Sequence, residues 1–159
     1  MNAPRLGADQ LVNGLTAYAE ALEQHRETLN RLNVFPVPDG DTGTNMALTA
    51  RAAIDELAAR RSAGMLSDDA AAIAAALAHG ALMGARGNSG VILCQVLRAL
   101  AAAVPEDPDG LGAGELAAAI KAASAAARAA VLRPAEGTIL TVAADAAAAA
   151  GAAAADGAG

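Results

Sequence analysis

Asp39 and Asp41 stand one residue apart in the run Asn33-Val-Phe-Pro-Val-Pro-Asp39-Gly-Asp41-Thr-Gly-Thr-Asn45-Met. Two carboxylates flanking a single glycine can converge on one cation, and hard oxygen donors of this kind suit Mg²⁺ or Ca²⁺. Pro36 and Pro38 exclude helix on the approach and stiffen it. A calcium EF-hand does not fit, because Gly43 takes its third ligand position and Ala50 stands where a bidentate Glu is needed. Thr42, Gly43, Thr44 and Asn45 open a helix, where free backbone N–H groups and the positive dipole end attract anions. Carboxylates beside an anion-attracting helix start are what metal–phosphate chemistry requires. A plain turn with Asp41 or Thr42 as N-cap fits the same residues equally well.

Two more glycine-containing helix starts follow. Gly84-Ala-Arg-Gly-Asn-Ser-Gly90 reads as a flexible turn into a helix. The amides of Asn88, Ser89 and Gly90 could cradle a phosphate there, with the Ser89 hydroxyl as a further donor. It lacks the Gly-Lys-[Ser/Thr] ending and the preceding strand of a Walker A loop, and a simple helix–helix turn explains it as well. Glu136-Gly-Thr138 is the third such start. Together the three suggest one pole of a helical bundle. His25 and His79 read as surface or packing residues, Cys94 as a buried small hydrophobe, and Arg60-Arg61 as a solvated helix end. The glycines of the 112–114 region follow a loop rather than a strand, so they are not a dinucleotide fingerprint.

The elements that must carry these loops are helical. Alanine supplies 49 of the 159 residues, and Tyr18 and Phe35 are the only aromatics. That composition favours helix and excludes an all-β fold, and 55% hydrophobic content with 18% charge excludes bulk disorder. Because Ala buries little area, a thin core is expected. Six helical segments can be read: 9–32, 44–61, one capped by Ser67 or Asp68, 89–103, 115–132, and one from Thr138. The first carries an apolar stripe of Leu11, Leu15, Tyr18, Leu22, Leu29 and Leu32. The third carries Ile73 and Leu77. Residues 104–114 read as a loop, and residues 143–159 as an Ala/Gly-rich tail that frays. A net charge of −6 and two aromatics argue against nucleic-acid binding. One cysteine rules out an internal disulfide or a Cys-based zinc site. No signal peptide or spanning segment is read, so a cytoplasmic protein is expected.

The runs LNVFPVPDGDTGTNMALTA, GARGNSGVILCQ and EGTILTVA resemble the DhaL-type (DAK2) nucleotide-binding domain, most of all that of the bacterial fatty acid kinase catalytic subunit. The likeness covers residues 1–142 apart from the Ala tail. It implies an all-α antiparallel barrel of eight helices, of which about six are present here, with ATP or ADP and two Mg²⁺ held by loops at one pole. It places metal ligation on Asn33, Asp39 and Asp41, the two aspartates being the catalytic pair. Phosphate contacts fall on Thr42, Gly43, Thr44, Asn45, Asn88 and Ser89, with Thr138 beside the nucleotide. The dihydroxyacetone kinase branch has Asp where Asn33 stands and His where Thr42 stands, which favours the fatty acid kinase branch. The implied activity is transfer of the γ-phosphate to a fatty acid carboxylate presented by a separate fatty-acid-binding subunit, giving an acyl phosphate. The alternatives are the nucleotide-binding subunit of dihydroxyacetone kinase and a non-catalytic nucleotide-binding module. A homodimer is a further expectation. With two helices of eight lacking, Leu93, Leu97, Ile120 and Ile139 are expected to face water along open seams.

Overall fold

The structure, a computed structural model, describes residues 5–106 and 110–157. Part of the loop read at 104–114 therefore lies outside the described residues. Six α-helices make up the fold: α1 (Ala8–Leu32), α2 (Thr42–Ser62), α3 (Ala70–Gly84), α4 (Gly87–Ala103), α5 (Ala113–Ala129) and α6 (Ile139–Ala155). The all-α expectation holds, and every segment read from the sequence is present. Helix α2 packs against α1, α3 and α4, α1 and α4 also pack on α3, and α5 and α6 extend the array from α4. Leu6 and Leu111 exchange backbone hydrogen bonds of 2.8 and 3.0 Å, tying the chain start to the α4–α5 connection. No helix among the described residues is long and apolar enough to cross a membrane.

The core follows from the alanine content. Leu15, Leu57, Ile73, Leu77 and Cys94 form one buried cluster between α1, α2, α3 and α4. Leu22, Met46 and Leu93 form a second among α1, α2 and α4, with Ile139 of α6 packed against it. Alanine fills most remaining buried positions, including all four on α5. Small side chains give up buried area, but they let helix axes approach closely. Gly80 and Gly84 on α3 carry this furthest, since a Cβ on either would overlap Ala52 of α2.

Several details differ from the sequence reading. The α3 cap is Asp69, which accepts 2.7 Å from the Ala72 amide and is itself held by the Ser67 hydroxyl. The apolar stripe of α1 does not run its full length, because Leu32 is exposed. The segment expected to fray is helical through Ala155. Of the expected open-seam residues, Leu93 is buried, Leu97 and Ile139 pack against the core clusters, and Ile120 is half-buried. The open apolar face lies instead on α1, a shallow groove lined by Tyr18, Ala21, Leu22, His25, Thr28 and Leu29. Desolvation there pushes the Tyr18 phenol up to about 12.

Candidate functional site: three helix starts at one pole

The carboxylate loop hangs between α1 and α2 and is pinned by one side chain. Asn33 is the C-cap of α1, its own N–H donating to the Asn30 carbonyl at 3.2 Å. Its Oδ1 accepts from the Asp41 amide (3.2 Å), the Thr42 amide (3.2 Å) and the Thr42 hydroxyl (2.9 Å), while Nδ2 donates to the Val37 carbonyl at 2.9 Å. One amide group thus holds both the middle and the end of the loop. Between these anchors Gly40 turns the chain at φ +65°, and the Phe35–Pro36 peptide is cis. The Asp39 and Asp41 side chains are exposed, and neither has a hydrogen-bond or ion-pair partner among the described residues. Asp41 is the N-cap of α2 by position, yet its carboxylate makes no capping bond. The capping comes from α1.

The second capping side chain is Asn30, which the sequence reading did not single out. Its Oδ1 accepts from the Thr44 amide at 3.1 Å and its Nδ2 donates to the Thr44 hydroxyl at 3.0 Å. The first turn of α2 is therefore largely satisfied: Thr42 by Asn33, Thr44 by Asn30, and the Asn45 amide by the Asp41 carbonyl at 2.9 Å. Gly43 is buried against the Arg26 carbonyl of α1, where a Cβ would overlap backbone. The four residues 42–45 thus lie together as read, but the amides of Thr42, Thr44 and Asn45 are committed within the protein.

Helix α4 starts beside them with the opposite arrangement. Arg86 is its N-cap, and the amides of Gly87, Asn88 and Ser89 have no partner among the described residues. Gly90 bonds the Arg86 carbonyl at 3.0 Å, so the open trio lies one residue earlier than the sequence suggested. Asn88 is exposed, Ser89 is buried, and the exposed Arg86 guanidinium donates to the Ala85 carbonyl, its one hydrogen-bond partner among the described residues. The 84–90 segment is not a flexible turn. Gly84 lies against Ala52 and Gly90 against Thr49, each too close to admit a Cβ, while Gly87 (φ +56°) meets the end of the Asn45 side chain. Thr49, fully buried, donates to the Asn45 carbonyl (2.7 Å) and accepts from the Arg86 amide (3.2 Å). This hydroxyl ties the first motif to the second.

The third start is self-contained. The Thr138 hydroxyl accepts from the Leu140 amide (3.2 Å) and donates to the Ala135 carbonyl (2.8 Å), capping α6. Gly137, at φ +76°, donates to the Thr141 hydroxyl, which in turn donates to Glu136, itself paired with Arg128 at 3.0 Å. Ile139 sets this start against the cluster containing Met46 of α2 and Leu93 of α4. One apolar contact, Ile139 on that cluster, thus links the third start to α2 and α4. The family model for the DAK2 domain matches residues 36–159, a span holding both aspartates and all three starts. The chain belongs to the DAK2-domain family.

The DAK2 domain is associated with kinase-related nucleotide binding. Among its relatives, Protein YloV of Bacillus subtilis is 48% identical over 133 residues, covering 84% of this chain and 23% of that protein. An uncharacterized protein of Staphylococcus haemolyticus is 42% identical over 143 residues, 90% of this chain and 24% of the relative. One of Staphylococcus epidermidis is 41% identical over the same length, with the same coverage. The chain thus spans about a quarter of the length of the curated relatives it matches. Elsewhere in this DAK2 domain, burial or a neighbouring group shifts several titratable side chains. Glu56 is held below the usual carboxylate range by its hydrogen bond from Arg60 (2.7 Å), with His79 also 3.1 Å from it. Burial raises the Cys94 thiol. His25 is exposed, as read. No group of three His, Cys, Asp or Glu side chains converges as a metal site among the described residues.

Proposed function

We propose that this domain binds a Mg²⁺-nucleotide at the pole formed by Asp39, Asp41 and the start of α4, and serves phosphoryl transfer to a fatty acid carboxylate presented by a separate subunit. Two exposed, unpartnered carboxylates on a loop fixed by Asn33 support this reading most directly. Unpaired acids on a rigid mount fit a hard divalent cation, and with only two of them its other positions fall to phosphate oxygens and water. Mg²⁺ bound there would neutralise the charge of phosphates brought beside two carboxylates.

The residues divide the work. Asp39 and Asp41 hold the cation, and the open amides of Gly87, Asn88 and Ser89 receive phosphate oxygens. Such preorganised donors stabilise charge without reorganising. Arg86 adds positive charge at the same end. Asn33, whose Oδ1 already accepts three donors, contributes by fixing the loop, and ligation through it would displace those bonds. Asn45 and Thr138 border the pole. The fatty acid branch is supported by Asn33 and Thr42 at the two diagnostic positions. It is also supported by apolar side chains on the same loop, where Val34 is 71% and Phe35 58% exposed, a rim suited to an apolar partner.

Calorimetric titration with Mg-ADP tests the site. Asp39→Ala and Asp41→Ala are each expected to abolish Mg²⁺-dependent binding with helicity unchanged, since each removes an exposed ligand and no core volume. Unchanged affinity in both variants sinks the reading. The acceptor is tested with the chain in its longer, full-length context. Label from γ-phosphate-labelled ATP should pass to a fatty acid loaded on its carrier and not to dihydroxyacetone.

A further inference from the structure

We propose that Asn30 is a positioning residue of this pole: its side-chain amide sets the first turn of α2 and thereby the placement of Asp41 and Asp39. The proposal rests on the Mg²⁺-nucleotide reading above. Asn30 lies in the last turn of α1, fourteen residues before Thr44, and it meets Thr44 twice, as acceptor from the amide and donor to the hydroxyl. Its backbone carbonyl also accepts from the Asn33 amide, so the two asparagines are linked. They stand three residues apart, the helical spacing that puts side chains on one face. From that face Asn33 takes the amides of Asp41 and Thr42, and Asn30 takes that of Thr44. The pair grips the start of α2 on both sides of Gly43, which is itself pressed onto α1.

The chemistry of the side chain explains its type. A carboxamide donates from its nitrogen and accepts at its oxygen without charge, as the two Thr44 groups require. An aspartate could accept from both, but would set a third negative charge near Asp39 and Asp41. The Thr44 amide is thus committed to Asn30, and its hydroxyl accepts from the same side chain while keeping its O–H proton. Released from Asn30, the first turn of α2 can shift against α1, and Asp41, its N-cap, shifts with it. A misplacement of that kind weakens a two-carboxylate site without removing any ligand.

The test uses the whole 159-residue chain, with Asn30→Ala, Thr44→Ala, the double variant and Asn30→Asp. Amide exchange at Thr44 is measured without nucleotide, and Mg-ADP affinity by calorimetry. Asn30→Ala is expected to speed Thr44 exchange and to weaken Mg-ADP binding about tenfold, consistent with losing two hydrogen bonds. Thr44→Ala, which keeps the amide bond, should lose less, and the double variant should be no worse than Asn30→Ala alone. Asn30→Asp should restore Thr44 protection, because two carboxylate oxygens can accept from the amide and the hydroxyl. Wild-type exchange at Thr44 in Asn30→Ala, wild-type affinity in that variant, or additive losses in the double variant would each overturn the proposal. A wild-type chain that binds no Mg-ADP defeats the nucleotide reading, and exchange alone then decides: faster Thr44 exchange upholds the latch and unchanged exchange overturns it.

Discussion

Helix α2 begins with the amides of Thr42 and Thr44 taken up by asparagines of α1, whereas α4, packed beside it, begins with the amides of Gly87, Asn88 and Ser89 unpartnered. A side-chain cap is worth about 1 kcal/mol to a helix. The α4 start forgoes that stabilisation, and the α2 start receives it twice, from another helix. The difference separates two jobs at one pole. The capped start holds the carboxylates still, and the open start is left for something that is not part of the chain. Caps from asparagine also carry no charge, so they leave the potential around Asp39 and Asp41 to the carboxylates themselves.

The contact between the two starts is where the comparison breaks most easily. Gly90→Ala places a methyl onto the buried Thr49 hydroxyl, and Gly87→Ala adds a φ of +56° to a collision with Asn45. Overpacking of this kind costs roughly 1–3 kcal/mol, so both variants should melt well below the wild type and bind Mg-ADP poorly. A wild-type melt for Gly90→Ala would mean that the two starts are not in contact as described. A smaller effect sharpens the contrast. Asn88→Asp puts a negative charge at the open start, where it should raise helix stability by about 0.3–1 kcal/mol while repelling phosphate, so the melting temperature rises as ADP affinity falls. Unchanged values for both would show that the α4 amides are already satisfied.

The smallest expected effect concerns a third kind of start. Asp69 caps α3 with a carboxylate, and its hydrogen bonds from Ser67 and the Ala72 amide hold that carboxyl below the usual carboxylate range. A depressed carboxyl stabilises the folded state above its unfolded pKa and loses that contribution as pH falls through the lower folded value. Acid melts below about pH 4 should therefore soften α3 in the wild type. Asp69→Asn should flatten this part of the profile, whereas the asparagine-capped α2 has no equivalent carboxyl to lose. Superimposable acid profiles for the two proteins would remove Asp69 from the account.

Much of this was legible in the chain. Six helices follow from alanine content and apolar spacing, and Asp39 and Asp41 announce themselves by type and by the prolines before them. The two capping partnerships of α2 were not legible. A cap is normally sought within three residues of the helix it closes, and Asn30 reaches Thr44 from the end of a different helix. Asn33 was legible as a site residue, but its grip on Val37, Asp41 and Thr42 depends on how the loop folds back. The glycines at 84, 87 and 90 read as flexibility because their real constraint, the nearness of Ala52, Asn45 and Thr49, belongs to the packing of α2. Thr49 lies inside a helix, where threonine carries no positional signal, and its role appears only once Arg86 is beside it.

Helix α6 has one buried residue, Leu140, and packs on α5 through a largely alanine surface. Eleven of its seventeen residues are alanine, the best helix former, so the helix needs little tertiary support, and undocking it would uncover the Met46 and Leu93 cluster where Ile139 packs. Such partial openings have free energies well below that of global unfolding. Thr138 and the turn before it travel with that helix. If the nucleotide of the proposed site uses Thr138, its apparent affinity would scale with the docked fraction. Anything that pins α6, whether a ligand or a neighbouring surface, would raise affinity without touching a single binding residue.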